Sequence, residues 1–335
     1  MELLGNTTSL EIRSWKLEAA SNLQLPTSNF QMNDLAIIII SHNSKEFLAP
    51  CLNTVQKAIE GLKATVFVVD NGGNDDSDSF VRENFSWCKV IRSETNGGYS
   101  YGNNLGIKAA GFPDAPKFRY AMLLNPDTET PPDAFRQMID YMDSHLDIGV
   151  LGPKLILENG KLDLACRRGE PTPATSFFHI FGLVKIFPRS PIFARYNMTF
   201  LDENQTADVD SVVGACMLMR GEALAKVGLM DETFFMYGED IDLNLRFKRN
   251  GYRVVYYPEV IIKHLKGTST RKQPEKMIIA FYDAMKIFHQ KHFASRYPRA
   301  FNALVYLAIN AVCQYKLFLN RRTPQEKRVV GSAKA

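Results

Sequence analysis

Three carboxylates, Glu239, Asp240 and Asp242, stand close together behind an aromatic run (Phe234, Phe235, Tyr237) and a single glycine. Such a cluster is costly to bury beside aromatic surface unless its acids are paired or do chemistry. Two readings compete. The acids can simply occupy the first turn of a helix, where carboxylates favour the positive end of the dipole. Leu243, Leu245 and Phe247 continue that helix, and Asn250-Gly251 ends it. Alternatively, one acid accepts a proton in catalysis; adjacent carboxylates repel, which raises one pKa toward a useful value. Arg246 stands four residues after Asp242, the spacing of a helical ion pair. A second set of polar residues, Asp70, Asn71, Asn125 and Asp127, recurs where apolar runs stop. His264 closes a third such run.

The elements that must position these groups alternate. Residues 35–41 form a continuous β-branched run, the mark of a strand buried on both faces. A helical pattern covers 46–59, a second strand 64–70, a short helix 77–85 and a third strand 89–92. Asn and Gly residues from 96 to 104 read as a flexible loop entering a helix at 105–110. Then come a strand at 120–125, a helix from Pro131-Pro132 to about 144, a strand at 208–219 and a helical turn at 221–227. The last strand spans 252–257, followed by helices at 273–292 and 301–319. This order predicts an α/β fold: a doubly wound, mostly parallel sheet flanked by helices, with a helical C-terminal extension. In such sheets ligands sit beyond the carboxyl ends of the strands, where the Asp and Asn residues fall. The expected divisions are a loosely ordered extension 1–33, a main domain 34–270 with halves 34–130 and 131–270, helices to 320 and a basic tail 321–335. Residues 160–204 read as irregular, with an apolar stretch at 177–187 suited to a lid or a membrane-facing segment.

Of 335 residues, 45% are hydrophobic and 23% charged, and the net charge is +4. That balance predicts a globular protein with a large core and argues against a nucleic-acid partner. The five cysteines show no CxxC spacing, which predicts reduced thiols in the cytoplasm and no zinc site. Residues 1–33 carry Glu2, Glu11 and Glu18 and no apolar core, unlike a signal peptide. The apolar pattern 301–319 is broken by Asn302, Asn310, Gln314 and Lys316, so it predicts an amphipathic helix rather than a span.

Taken together the motifs resemble family 2 glycosyltransferases of the GT-A fold, most closely the rhamnosyltransferase-like branch. The pieces are Ser41-His42-Asn43; Asp70-Asn71-Gly72; Asn96-Gly97-Gly98-Tyr99 with Gly102-Asn103-Asn104; Asn125-Pro126-Asp127; Val213-Gly214-Ala215; Asp231 through Asp242; Arg246; and His264. They cover roughly residues 35 to 270 in order. One departure matters: the metal triad of the fold is Asp-any-Asp, and Asn125 replaces its first acid, leaving Asp127 as the single carboxylate.

The resemblance implies an inverting transfer from a dTDP- or UDP-sugar to a hydroxyl of a saccharide or lipid-linked saccharide in cell-surface polysaccharide synthesis. Breaking the sugar–phosphate bond adds charge to a diphosphate, which Mg²⁺ or Mn²⁺ stabilises; Asp127 and His264 are the expected ligands. Asp70 and Asn71 would bond a base or ribose, Ser41 and Asn43 would line the base pocket, and Gly98, with its neighbouring glycines, would admit backbone close to the nucleotide. Asn103, Asn125 and Asp127 complete the expected nucleotide-sugar contacts. Asp240 is expected to be the general base and Glu239 to orient a hydroxyl, with Tyr237, Asp242 and Arg246 supporting the acceptor. The C-terminal helix with Arg321 and Arg322 suits peripheral contact with the inner membrane face, or else it closes the core.

Two alternatives use the same acids. A nucleotidyltransferase needs a basic, Gly-rich loop after the first strand, and Ser41 to Lys45 contains no glycine. A non-catalytic sugar-binding homologue would not need Asp127, Asp240 and His264 together.

Overall fold

The computed structural model describes residues 32–265 and 274–323. The expected N-terminal extension up to residue 31, and the tail from 324, lie outside them. The β-branched run becomes β1 (Asn33–Ser41), in which Leu35 to Ile39 have no exposed surface. Each of the leucine and isoleucine side chains among them contributes roughly 1.5–3 kcal/mol by burial. After helix α1 (Lys45–Ala58), β2 (Ala64–Asn71) pairs in parallel with β1. Helix α2 (Ser77–Asn84) leads to β3 (Lys89–Ser93), which pairs in parallel with β2. Helix α3 (Gly98–Ala109) returns the chain to β4 (Phe118–Leu124), on the other side of β1. Asp70 and Asn71 end β2, and Asn125 follows β4, so these side chains sit at one end of the sheet as expected.

Helix α3 corrects the reading of 96–104 as a flexible loop: the helix already starts at Gly98. The reason is close packing. A Cβ on Gly102 would lie 2.1 Å from Ile40 Cδ1, and one on Gly106 would lie 2.5 Å from Ile38 Cγ2. Gly102 therefore serves contact between helix and sheet.

After β4 come β5 (Thr128–Glu129), helix α4 (Ala134–Ser144) and β6 (Ile148–Leu157). The sequence pattern does not announce β6, because Gly149, Gly152 and Pro153 interrupt its apolar run. Those glycines are required: a Cβ on Gly152 would strike Val212 at 2.6 Å, and one on Gly149 would strike Tyr252. Short helices α5 (Pro173–Ile180) and α6 (Leu183–Ile186) punctuate the irregular region. The strand expected at 208–219 is two pieces, β7 (Ala207–Asp208) and β8 (Cys216–Arg220), separated by a loop. Helices α7 (Gly221–Val227) and α8 (Glu239–Arg249) then precede β9 (Arg253–His264). β9 runs further than the expected 252–257, so His264 is its last residue.

The sheet order is β3-β2-β1-β4-β8-β6-β9-β5, with β7 also paired to β9. Strands β3 to β4 are parallel, while β8 is antiparallel to both β4 and β6. β6 is parallel to β9, which pairs antiparallel with β5 at Thr128 and His264. The result is a mixed, mostly parallel sheet. Helices α9 (Pro274–His292) and α10 (Arg299–Arg322) follow. Phe288 and Ala284 of α9 share a small core with Phe234, Ile241 and Leu245, which fixes α8 from its outer side.

Candidate active site

Two adjacent left-handed residues turn the chain into α8: Tyr237 with φ +72° and Gly238 with φ +79°. Such a backbone is strained for tyrosine and persists where surrounding contacts hold it. It delivers Glu239 and Asp240 to the N-terminus of α8, where the helix dipole favours their charge. Both line a cleft of about 2680 Å³, together with Asn43, Asn71, Gly98, Asn125, Asp127, Tyr237 and His264.

Asp240 is held by three groups. Arg168 Nη2 donates to its Oδ2 at 2.7 Å, Gly214 N donates to the same oxygen at 3.2 Å, and Ile241 N donates to Oδ1 at 2.8 Å. Arg168 is itself buried, and it also donates to Val212 O at 3.0 Å. Its backbone bridges Ser211, so the loop between β7 and β8 carries the guanidinium under the acid. Glu239 has different company. It is buried, and its Oε2 has no hydrogen-bond partner within the described structure. Burial first, and the charge of Asp240 second, push its carboxyl up to about 8. The repulsion expected between neighbouring acids therefore falls on Glu239. At neutral pH this residue is protonated and can donate a hydrogen bond.

A stability consequence follows. The ordinary value for Glu239 is 4.5, and its folded value is about 8. Across that window the unfolded chain has released the proton and the folded chain has not, so stability falls as pH rises. Glu239→Gln should remove this component. The urea midpoint of the variant should drop less than that of the wild type between the acid and alkaline ends of the window. An equal drop would assign the proton to another group.

Asp242 does not reach the cleft. Fully buried, it accepts from Arg246 Nε at 2.9 Å and His292 Nε2 at 2.8 Å, with Lys291 Nζ also at 2.8 Å. Burial opposes its charge, but these partners outweigh burial and hold its carboxyl at about 2. Arg246 donates in turn to Val227 O and Leu229 O. Both residues fix α8 in place behind the cleft.

Elsewhere in the cleft lining, Asp127 Oδ1 lies 3.4 Å from His264 Nε2, and Leu265 N donates to Asp127 O at 2.9 Å. His264 Nδ1 bonds Asp163 Oδ2 at 3.0 Å, which orients the ring so that Nε2 faces Asp127. Burial disfavours the imidazolium, but Asp127 and Asp163 outweigh it and raise His264 to about 9. One carboxylate oxygen and one imidazole nitrogen, facing each other at a strand end, suit a hard divalent ion that displaces the Nε2 proton and takes its other ligands from a diphosphate and water. Among the described residues no group of three or more His, Cys, Asp or Glu side chains could hold an ion alone.

Tyr99 ties the two walls together. Its hydroxyl lies 2.8 Å from Gly214 O and 3.1 Å from Asn125 Oδ1. Gly98, with φ +90°, lets Tyr99 N reach Phe235 O at 2.7 Å; a Cβ there would collide with that oxygen at 2.3 Å. At the base end, Asn71 Nδ2 donates to Gly98 O at 2.9 Å, and Asn43 Oδ1 accepts from Asn74 N at 2.9 Å. Three expected contacts lie behind the cleft wall. Ser41 Oγ bonds Ser44 and Ser77, Asp70 Oδ1 accepts from Gly73 N, and Asn103 Nδ2 donates to Tyr99 O. They brace the residues that face the cleft.

The motif reading missed Arg168, Asp163 and Tyr99 as site residues. Tyr99 stood inside a quoted motif. The only signal for Arg168 was a pair of arginines in an otherwise apolar, irregular region. Asp163 follows the strand that the sequence pattern hid.

Comparison with known proteins identifies the fold and the family. The family model for glycosyl transferase family 2 matches residues 36–228, and that for glycosyl transferase family group 2 matches 189–311. An N-acetylglucosaminyl-diphospho-decaprenol L-rhamnosyltransferase of Mycobacterium tuberculosis is 25% identical over 76% of this chain and 83% of its own length. The rhamnosyltransferase WbbL of Escherichia coli is 25% identical over 66% of this chain and 80% of its own length. Among solved structures, the mannosyltransferase PcManGT of Pyrobaculum calidifontis, in complex with GDP-Man and Mn²⁺, superposes with a TM-score of 0.52. It has 13% identity, over 90% of this chain and 76% of its own. S. aureus TarS 1–349 superposes with a TM-score of 0.51 at 16% identity, over 82% of this chain and 69% of its own. The fold is that of the GT-A glycosyltransferases, and the chain belongs to glycosyl transferase family 2 as a rhamnosyltransferase-like glycosyltransferase of polysaccharide or lipid-linked saccharide synthesis.

Proposed function

We propose that the chain moves a sugar, rhamnose by the company of its relatives, from a dTDP- or UDP-sugar to a hydroxyl of a lipid-linked saccharide, with inversion, at the cytoplasmic face of the membrane. The observation that carries the reading is one cleft lined by both Asp127 with His264 and Glu239 with Asp240. Asp240 takes the proton of the attacking hydroxyl. The oxygen bonds to the anomeric carbon as the bond from that carbon to the diphosphate breaks, and the electron pair leaves with the diphosphate. Arg168 keeps Asp240 aligned, and neutral Glu239 donates a hydrogen bond to a sugar hydroxyl. A divalent ion held by Asp127 and His264 would offset the charge that builds on the leaving diphosphate. The mannosyltransferase neighbour with Mn²⁺ in its complex favours manganese, and the lipid-carried acceptor in the mycobacterial relative's name favours that acceptor class.

The test is nucleotide release from a panel of dTDP-, UDP- and GDP-sugars, with and without EDTA. Release from one class, lost with EDTA and restored by Mn²⁺, is the expected result. Release from none of them would overturn the reading, and EDTA-resistant release would remove the ion from it.

A further inference from the structure

Helix α10 is apolar on two opposite sides. One side packs Ile309, Cys313 and Leu317 against Ile278 and Tyr282 of α9. The other carries Leu304, Leu307, Tyr315 and Phe318, which keep 63%, 65%, 58% and 49% of their surface exposed. These positions recur at helical spacing, so they form one stripe. Among the described residues this helix is the only one long and apolar enough to cross a membrane. Its packing against α9, however, buries one side in protein along much of its length.

A second apolar surface lies about a hundred residues earlier in the chain. No residue of helices α5 and α6 is fully buried. Phe181, Ile186 and Ile192 are 65%, 66% and 63% exposed. The two surfaces meet the same cleft: Phe177 and Phe181 contribute to its lining, and so do Leu304 and Ala308 of α10. At about 2680 Å³ that cleft is more than twice the upper range of ordinary small-ligand pockets. The charge is equally one-sided. No carboxylate occurs between Glu170 and Asp202, or from Asp283 to Thr323, whereas Lys185, Arg189, Lys316, Arg321 and Arg322 are exposed there.

We propose that the α5–α6 lip and the α10 stripe together dock on an anionic bilayer, with the mouth of the catalytic cleft between them. An apolar stripe flanked by Lys185, Arg189, Lys316 and Arg322, with Arg321 shared with Glu275 of α9, is what an anionic lipid surface takes up. The arrangement rests on the proposed lipid-linked acceptor and gives that substrate its route: its hydroxyl approaches Glu239 and Asp240 from the membrane side.

The experiment is flotation of the full chain with phosphatidylcholine vesicles, with and without phosphatidylglycerol. Two variants use exposed residues outside the cleft: Ile186→Glu/Ile192→Glu on the lip and Leu307→Glu/Phe318→Glu on the stripe. Nucleotide release into water and circular dichroism are measured alongside. The expected result is binding that needs phosphatidylglycerol, a loss of about tenfold or more in each variant, and unchanged nucleotide release. Four outcomes overturn the proposal: no vesicle binding by the wild type, a lip variant that binds normally, a chain that resists alkaline extraction as a spanning helix does, or a dimer in solution that the stripe variant abolishes. Vesicle binding without nucleotide release from any sugar would leave the docking standing and overturn the catalytic reading.

Discussion

Asp240→Asn should lower sugar transfer by about 10²- to 10⁴-fold, the range that a positioned general base supplies. The substitution keeps shape and loses proton affinity. Nucleotide binding should survive, because the residues expected to hold the nucleotide and its ion, Asn43, Asn71, Asp127 and His264, are other members of the cleft lining. Transfer kinetics and a calorimetric titration with the nucleotide diphosphate separate the two effects. Turnover near the wild-type rate would move the base elsewhere, and Glu239 would be the first candidate, since its Oε2 is unpartnered.

The second large effect concerns Arg168. Its guanidinium and Asp240 are both buried and lie 2.7 Å apart. Removing one partner of such a pair leaves an uncompensated charge and costs roughly 3–5 kcal/mol, whereas removing both with apolar residues is often nearly neutral. Arg168→Met should therefore lower the melting temperature by on the order of 10 °C. The double variant Arg168→Met/Asp240→Leu should recover most of that loss while remaining inactive. A single variant that melts like the wild type would mean that the ion pair does not hold the loop. The opposite outcome for the double variant, a further loss of stability, would make the cost one of packing instead of charge.

The parallel half of the sheet was legible because its strands are buried on both faces and β-branched: β1 and β2 announce themselves. The antiparallel part was less so. β6 hides behind glycines that serve contacts with Val212 and Tyr252, contacts that exist only in three dimensions. The acids at strand ends were readable because turn chemistry and ligand chemistry choose the same places. What the pattern could not give was which acid faces the cleft. Glu239 and Asp240 are adjacent in sequence, yet Arg168, more than seventy residues earlier, pairs with one, while burial and the charge of that neighbour raise the pKa of the other. Asp242 looked like a third member of the same cluster. Burial and three partners, Arg246, Lys291 and His292, make it an anchor.

That anchor ties catalysis to the end of the chain. Two of the three partners of Asp242, Lys291 and His292, come from α9, about fifty residues downstream and beyond the 36–228 match. During synthesis the helix bearing Glu239 and Asp240 is complete well before those groups leave the ribosome. Until they arrive, a carboxylate destined for full burial keeps only Arg246 as its counter-charge. The active site thus reaches its final form only when α9 has been made, so a chain truncated before Lys291 does not acquire that geometry.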